Sequence, residues 1–225
     1  LNPNKIDIEK DVLFGNSHAY MYGWPFKKYL INTNQQGLIV QLSSCLPFID
    51  KNISKECLEK SRAYYEDIVR DKSIKNVILG LTWYSDVVDE KGEVIKDEDF
   101  KLRKNSINFL IESLKKNNKN VYLIGPIEIP ELTFSPEKIS REIVFKKKGN
   151  IQLLNPRSDF DKKYKSIINY YKSKLGQNFL LPHEELCDVK NCYFADDKGS
   201  YFSDSNHLGK YGSMKMLKLF ENINY

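Results

Sequence analysis

Short apolar runs and helically spaced apolar residues alternate along the whole chain. Val12 to Phe14 reads as a first strand, followed by a helical stretch over about 18–30 that Trp24-Pro25 is expected to bend or break. After the turn Asn34-Gln35-Gln36, the run 37–42 reads as a second strand. Residues 54–70 have helical spacing, with Ser54 placed to cap them. A third apolar run over 77–81 ends at Thr82-Trp83-Tyr84, and the polar, glycine-containing stretch 87–97 suits a loop or hairpin. Leu102, Ile107, Leu110, Ile111 and Leu114 then form a helical stripe within 99–116. The run 121–126 is a fourth strand with a Gly-Pro turn. The pattern weakens over 127–155, which suits a surface excursion with a short helix after Ser135-Pro136. Helical spacing returns over 159–175, a fifth strand is expected over 178–181, and a last helix runs from His207 or Gly209 to Glu221.

Strands that alternate with helices imply a parallel sheet covered on both faces, an α/β fold in three α/β/α layers around a mainly parallel five-stranded sheet. In such sheets ligands bind beyond the carboxyl ends of the strands. Ser17, Ser43-Ser44, Trp83 and Pro126 all follow strand ends, and the loop holding Asp204 and His207 follows the fifth strand. No linker, repeat or low-complexity tract interrupts the chain, so residues 1–225 are expected to form a single domain.

Composition narrows the picture further. Of 225 residues 41% are hydrophobic and 12% aromatic, which argues against disorder. The longest apolar runs fall well short of the roughly 20 residues a membrane span needs. The chain begins at Leu1, which suits a segment cut from something longer. The net charge of +5 comes from scattered lysines, with small clusters at Lys115-Lys116 and Lys146-Lys147-Lys148. Such lysines usually face solvent, and no nucleic-acid-binding motif accompanies them, although a mild attraction to anionic glycans or membrane surfaces is compatible with them. The four cysteines fall into two local pairs, Cys45 with Cys57 and Cys187 with Cys192. The spacing favours two disulfide-closed loops in an oxidising compartment; the alternative is four buried thiols in the cytosol. Zinc is disfavoured, because no Cys-x-x-Cys spacing or adjacent histidine occurs, and no other metal or cofactor is indicated.

The candidate chemistry lies at the two ends of the chain. Gly15-Asn16-Ser17-His18 breaks the first apolar run at a sharp turn, and Asp204-Ser205-Asn206-His207 lies near the carboxyl terminus. A nucleophilic serine needs a base, and the base needs an orienting carboxylate. Each residue also has a plainer reading: Ser17 as a helix cap, Asp204 and Asn206 as caps of the last helix, Trp83 as core or a sugar platform, His18 and His183 as structural. The joint occurrence of serine, Asp-x-x-His and strand-end placement favours a site. The amides of Ser17 and Ser44 are candidate oxyanion donors, with a third donor sought near Thr82-Trp83.

Together these residues resemble the SGNH (GDSL-like) hydrolase and acyltransferase superfamily. The likeness is closest to the SGNH domains fused to bacterial membrane acyltransferases that O-acetylate cell-surface glycans. Gly15-Asn16-Ser17-His18 is similar to that group's Gly-Asp-Ser-His block, with Asn16 standing where the group usually has aspartate. Ser44-Cys45-Leu46-Pro47, with Cys57 following, is similar to its Cys-Pro element. The strand 77–83 ending in tryptophan and the Gly125-Pro126 strand end match as well. The closing signature corresponds to Leu186-Cys187 through Cys192, then Tyr201, Asp204, His207, Leu208 and Gly212. The Gly-x-Asn-Asp block of ordinary SGNH esterases is not present, so no asparagine oxyanion donor carries over from it.

The resemblance implies a flavodoxin-like fold and a Ser17–His207–Asp204 triad, with Ser44, Trp83 and Asn16 around the oxyanion and substrate. It implies an O-acetyltransferase acting on a cell-surface glycan such as a lipopolysaccharide O-antigen, without a cofactor. The acetyl group would be delivered by a membrane acyltransferase domain, and the chain would be the carboxyl-terminal extracytoplasmic part of a protein tethered to the bacterial inner membrane and facing the periplasm. Two other functions use the same residues: a carbohydrate acetylesterase with water as acceptor, and a degenerate domain that only binds glycan.

Overall fold

The computed structural model describes residues 9–51, 53–84, 86–130, 135–137, 139, 141 and 153–223. The main strands are β1 (Lys10–Gly15), β2 (Gln36–Gln41), β3 (Ile74–Gly80), β4 (Asn120–Ile124) and β5 (Phe179–Leu180), hydrogen-bonded in the order β2-β1-β3-β4-β5. The pairings of β1 with β2 and β3, and of β3 with β4, are parallel. This is the α/β architecture expected from the alternating pattern, with its strand order reversing beside β1. The main helices are α1 (Gly23–Thr33), α2 (Lys55–Arg70), α3 (Lys101–Lys116), α4 (Arg157–Leu175) and α5 (Lys210–Met214). None of the described helices is long and apolar enough to cross a membrane.

The chain falls into two compact units, Leu1–Tyr20 with Tyr29–Leu123, and Met21–Lys28 with Ile124–Tyr225. In the first unit, Val12, Leu13 and Phe14 of β1 and Val77, Ile78 and Leu79 of β3 are buried. Burying each such side chain contributes about 1.5–3 kcal/mol, which explains why these runs become central strands. The strands begin earlier than their apolar runs because polar residues inside them satisfy one another. Asn76 Nδ2 donates to Asp11 Oδ1 at 2.8 Å, Tyr29 donates its hydroxyl to Asp11 Oδ2 at 3.0 Å, and Asn120 Nδ2 donates to Asn76 Oδ1 at 3.1 Å. Ser54 caps α2 as expected, accepting from the Cys57 amide.

Helix 18–30 is not one bent helix. A turn of helix at Ser17–Tyr20 is followed by a separate α1 that starts at Gly23, so Pro25 lies in its first turn, where a missing N–H costs nothing. The expected hairpin is present as the antiparallel pair Val87–Val88 and Val94–Ile95. In the second unit, Gly125 N donates to Leu180 O at 2.8 Å, which carries the end of β4 onto β5. The last helix is broken into α5 and Leu217–Glu221. Two short antiparallel pairs have no counterpart in the sequence pattern: Leu154–Pro156 with Asn191–Tyr193, and Ala195–Asp196 with Gly199–Ser200. The short helix expected after Ser135-Pro136 begins with Ile139 N donating to Ser135 O, and the rest of it, like Lys146 to Lys148, lies outside the described residues.

Both cysteine pairs are disulfides. Cys45–Cys57 ties the turn after β2 to the first turn of α2, and Cys187–Cys192 closes the small loop after the helical turn His183–Leu186.

Candidate active site

In the first unit, Ser17 opens the helical turn that follows β1. The chain turns there because it lies directly on β3: a Cβ on Gly15 would meet Gly80 O at 1.7 Å, a distance no side chain survives. Asn16 then holds the turn from three directions. Its Nδ2 donates to Thr82 Oγ1 at 2.7 Å, its Oδ1 accepts from the His18 amide at 3.0 Å, and its carbonyl accepts from the Ala19 amide at 2.9 Å. Asn16 is 3% exposed, and its amide nitrogen is committed to Thr82, so in this conformation it builds the turn rather than donating to an oxyanion. His18 is also buried, with Nε2 3.2 Å from the Tyr84 hydroxyl and its ring edge-on to that tyrosine. Ser17 itself is half-buried.

The turn after β2 meets Ser17 through the backbone. Ser43 has φ 56°, an uncommon value for serine, and its carbonyl accepts from the Ser17 amide at 2.8 Å. The Ser17 amide is therefore occupied in this conformation, although the sequence made it the first choice of oxyanion donor. Ser44 is exposed, and its amide makes no hydrogen bond among the described residues. Trp83 is 4% exposed, packed edge-on to Phe100, and its carbonyl accepts from the buried Arg103 guanidinium. A ring so enclosed offers no face for stacking, so Trp83 belongs to the core and is not a sugar platform.

In the second unit, Asp204 and His207 are brought together as expected. Asp204 Oδ2 lies 2.9 Å from His207 Nδ1, while Oδ1 accepts from the amides of Asn206 at 2.8 Å and His207 at 2.7 Å. Burial works against the Asp204 carboxylate, but the Asn206 amide and the two His207 bonds outweigh it and hold its pKa below the usual carboxylate value. An ionised carboxylate on Nδ1 fixes the tautomer that leaves Nε2 as the basic nitrogen. The loop is closed by a bridge between Phe202 and Leu208, by Ser203 N donating to His207 O at 2.9 Å, and by Leu208 N donating to Met21 Sδ at 3.5 Å. Gly212 lets α5 pass directly over the Tyr201 carbonyl, which a Cβ there would meet at 2.1 Å.

Ser17 thus belongs to the first unit and the Asp204–His207 pair to the second; their pairing is part of the function proposed below. Sequence reasoning missed two features. Asn16 reaches Thr82 across the strand ends, a contact with no local signal. Trp24, Lys27 and Lys28, at helical spacing on α1, are exposed, and the Lys210 ammonium lies 4.5 Å from the centre of the Trp24 ring. The i, i+3, i+4 spacing on α1 was visible in the sequence, whereas the approach of Lys210 was not.

Comparison with known proteins agrees with this architecture. The family model described as "SGNH domain (fused to AT3 domains)" matches residues 2–222. Among solved structures, the chain is similar to the periplasmic domain of a Salmonella ser. Paratyphi A lipopolysaccharide acetyltransferase, at 19% identity and a TM-score of 0.68, covering 96% of this chain and 83% of that one. It is also similar to a putative acylhydrolase from Bacteroides fragilis NCTC 9343, at 13% identity and a TM-score of 0.50, covering 98% of this chain and 88% of that one. At these identities the likeness is one of fold. No curated protein matches the sequence.

Proposed function

Because the chain belongs to the SGNH domain family described as fused to AT3 domains, we propose that it is the extracytoplasmic O-acetyltransferase domain of a membrane acyltransferase, modifying a hydroxyl of a cell-surface glycan. The observation that carries this reading is the Asp204–His207 contact at 2.9 Å, placed at the position that corresponds to the family's closing signature. The two disulfides support an oxidising compartment such as the periplasm. The whole chain is read as one SGNH domain.

In the proposed reaction His207 Nε2 takes the proton of Ser17 Oγ as that oxygen attacks the acetyl carbonyl carbon of the donor. The tetrahedral intermediate collapses, the donor's leaving oxygen departs with the proton from His207, and acetyl-Ser17 remains. His207 then removes the proton of a glycan hydroxyl, which attacks the acetyl carbon; Ser17 Oγ leaves and regains the proton. Asp204 keeps the imidazole oriented and stabilises its charged form throughout. The exposed Ser44 amide is the proposed oxyanion donor. The Ser17 amide joins it only if the Ser43 carbonyl turns away, and each such donor lowers the barrier by about 3 kcal/mol.

Hydrolysis is the second reading, favoured by the openness of the pair: side-chain exposure is 31% for His207 and 52% for Asp204, which admits water. A degenerate binding domain is disfavoured by Asn16, which holds the nucleophile turn through its hydrogen bonds to Thr82 and His18. The test is turnover of a soluble acetyl ester with and without an oligosaccharide acceptor. Transfer predicts an acetylated sugar that disappears in Ser17→Ala; free acetate alone, at a rate indifferent to the sugar, supports the esterase. Unaltered activity in Ser17→Ala removes both.

A further inference from the structure

We propose that the exposed face of α1, together with Lys210, is an acceptor subsite for a sugar that carries a negative charge, a carboxylate or a phosphate; this rests on the acyltransferase reading above. All its residues lie in the second unit, the unit that holds Asp204 and His207. Trp24, Lys27 and Lys28 occupy positions i, i+3 and i+4 of α1 and share one exposed face. Lys210, at the start of α5 and three residues beyond His207, brings its ammonium over the Trp24 ring at 4.5 Å. The base and this surface are joined physically as well, since Leu208, next to His207, donates its amide to Met21 just before α1.

Trp24 is 50% exposed, so one large indole surface is open to solvent beside three lysines. Among the described residues none of the three is ion-paired with a carboxylate. An open indole suits the C–H face of a sugar ring, and the three ammonium groups suit an anionic substituent. A membrane surface would also attract tryptophan and lysine. The sugar is favoured because Lys210 lies three residues from His207, the base that an acceptor hydroxyl must reach, and the vesicle arm of the test separates the two.

The experiment uses Ser17→Ala protein, so that binding is read without turnover, and follows tryptophan fluorescence. The chain has two tryptophans and Trp83 is buried, so a change reports Trp24. The ligands are an oligogalacturonate, a phosphomannan fragment, a neutral maltooligosaccharide of equal length, and phosphatidylglycerol vesicles. The proposal expects one or both acidic sugars to bind about tenfold tighter than the neutral one, with affinity falling as salt rises. The triple variant Lys27→Glu/Lys28→Glu/Lys210→Glu should abolish that preference while the circular dichroism stays unchanged, and Trp24→Leu should weaken binding of the same sugar measured by calorimetry. Equal binding of the neutral sugar, a preference that survives the triple variant, or binding to vesicles alone overturns it. These outcomes are independent of acetyl transfer by wild-type protein, so loss of the subsite and loss of the triad are told apart.

Discussion

In the loop closed by Phe202 and Leu208, His207 keeps 31% of its side chain in solvent and has its Nδ1 on the Asp204 carboxylate. In the helical turn His183–Leu186 of the same unit, His183 is 2% exposed, stacked on Phe160 with ring centres 4.7 Å apart, and its Nδ1 has no hydrogen-bond partner among the described residues. Burial, then the positive charges of Arg157 and Lys172, push the His183 pKa down to about 3. The same imidazole is thus a filler of packed space in one place and a carboxylate-oriented ring, the base of the proposed reaction, in the other. What separates them is a carboxylate on Nδ1 and water on the far side of the ring, not the residue type.

The sharpest way to break this contrast is Asp204→Asn. It keeps the shape but reverses what Nδ1 can do, and turnover should fall by about four orders of magnitude, as expected when the orienting acid is lost. His183→Leu should leave turnover nearly unchanged; comparable losses in both variants would erase the distinction.

The next effect is on stability against pH. Above about pH 6.5 His183 is neutral in both folded and unfolded chains. As the pH falls from there toward 3, the unfolded chain takes up a proton that the folded one refuses, so this contribution, fully present above 6.5, is progressively lost. Between pH 6.5 and 5 the His183 contribution to the unfolding free energy should drop by about 1 kcal/mol per pH unit, steepening toward about 1.4 as the unfolded imidazole becomes fully protonated. Denaturant titrations of wild type and His183→Leu measure it; an equal slope in the variant would place the proton elsewhere.

The smallest expected effect concerns the disulfide that ends the His183 turn. Replacing both Cys187 and Cys192 by serine opens a very short loop, and should cost about 2 kcal/mol of stability with turnover preserved. A collapse of turnover at temperatures where the variant stays folded would tie this loop to the chemistry.

The two histidines also mark how far a sequence can be read. Asp204 and His207 are three residues apart and their pairing is local, so the motif itself foretold it. Helix and strand types followed from apolar spacing, because the buried stripes of α2, α3 and α4 and the cores of β1, β3 and β4 are made by that spacing. Strands start before their apolar runs where polar groups pair across strands, as Asp11 does with Asn76. No hydrophobic pattern marks such a contact. The fates of the two tryptophans are illegible in the sequence for a similar reason. Trp83 is enclosed by a buried arginine and Phe100 from a distant stretch of chain, while Trp24 stays in the open, and neither fate is written in its immediate neighbours. The short pairs around 154–156 and 191–200 are held by long-range contacts such as Tyr211 and Lys215 on Asp196, which leave no periodic trace.

The central claim is a covalent one: acetyl passes through the oxygen of Ser17, driven by His207. Rapid quenching of the protein with a soluble acetyl-ester donor and no sugar, followed by peptide mass spectrometry, tests it directly. The account predicts one acetyl group on the peptide containing Ser17, absent in His207→Ala and removed when an acceptor sugar is added. An acetyl group carried on another residue, or steady turnover with Ser17 never modified, would contradict it.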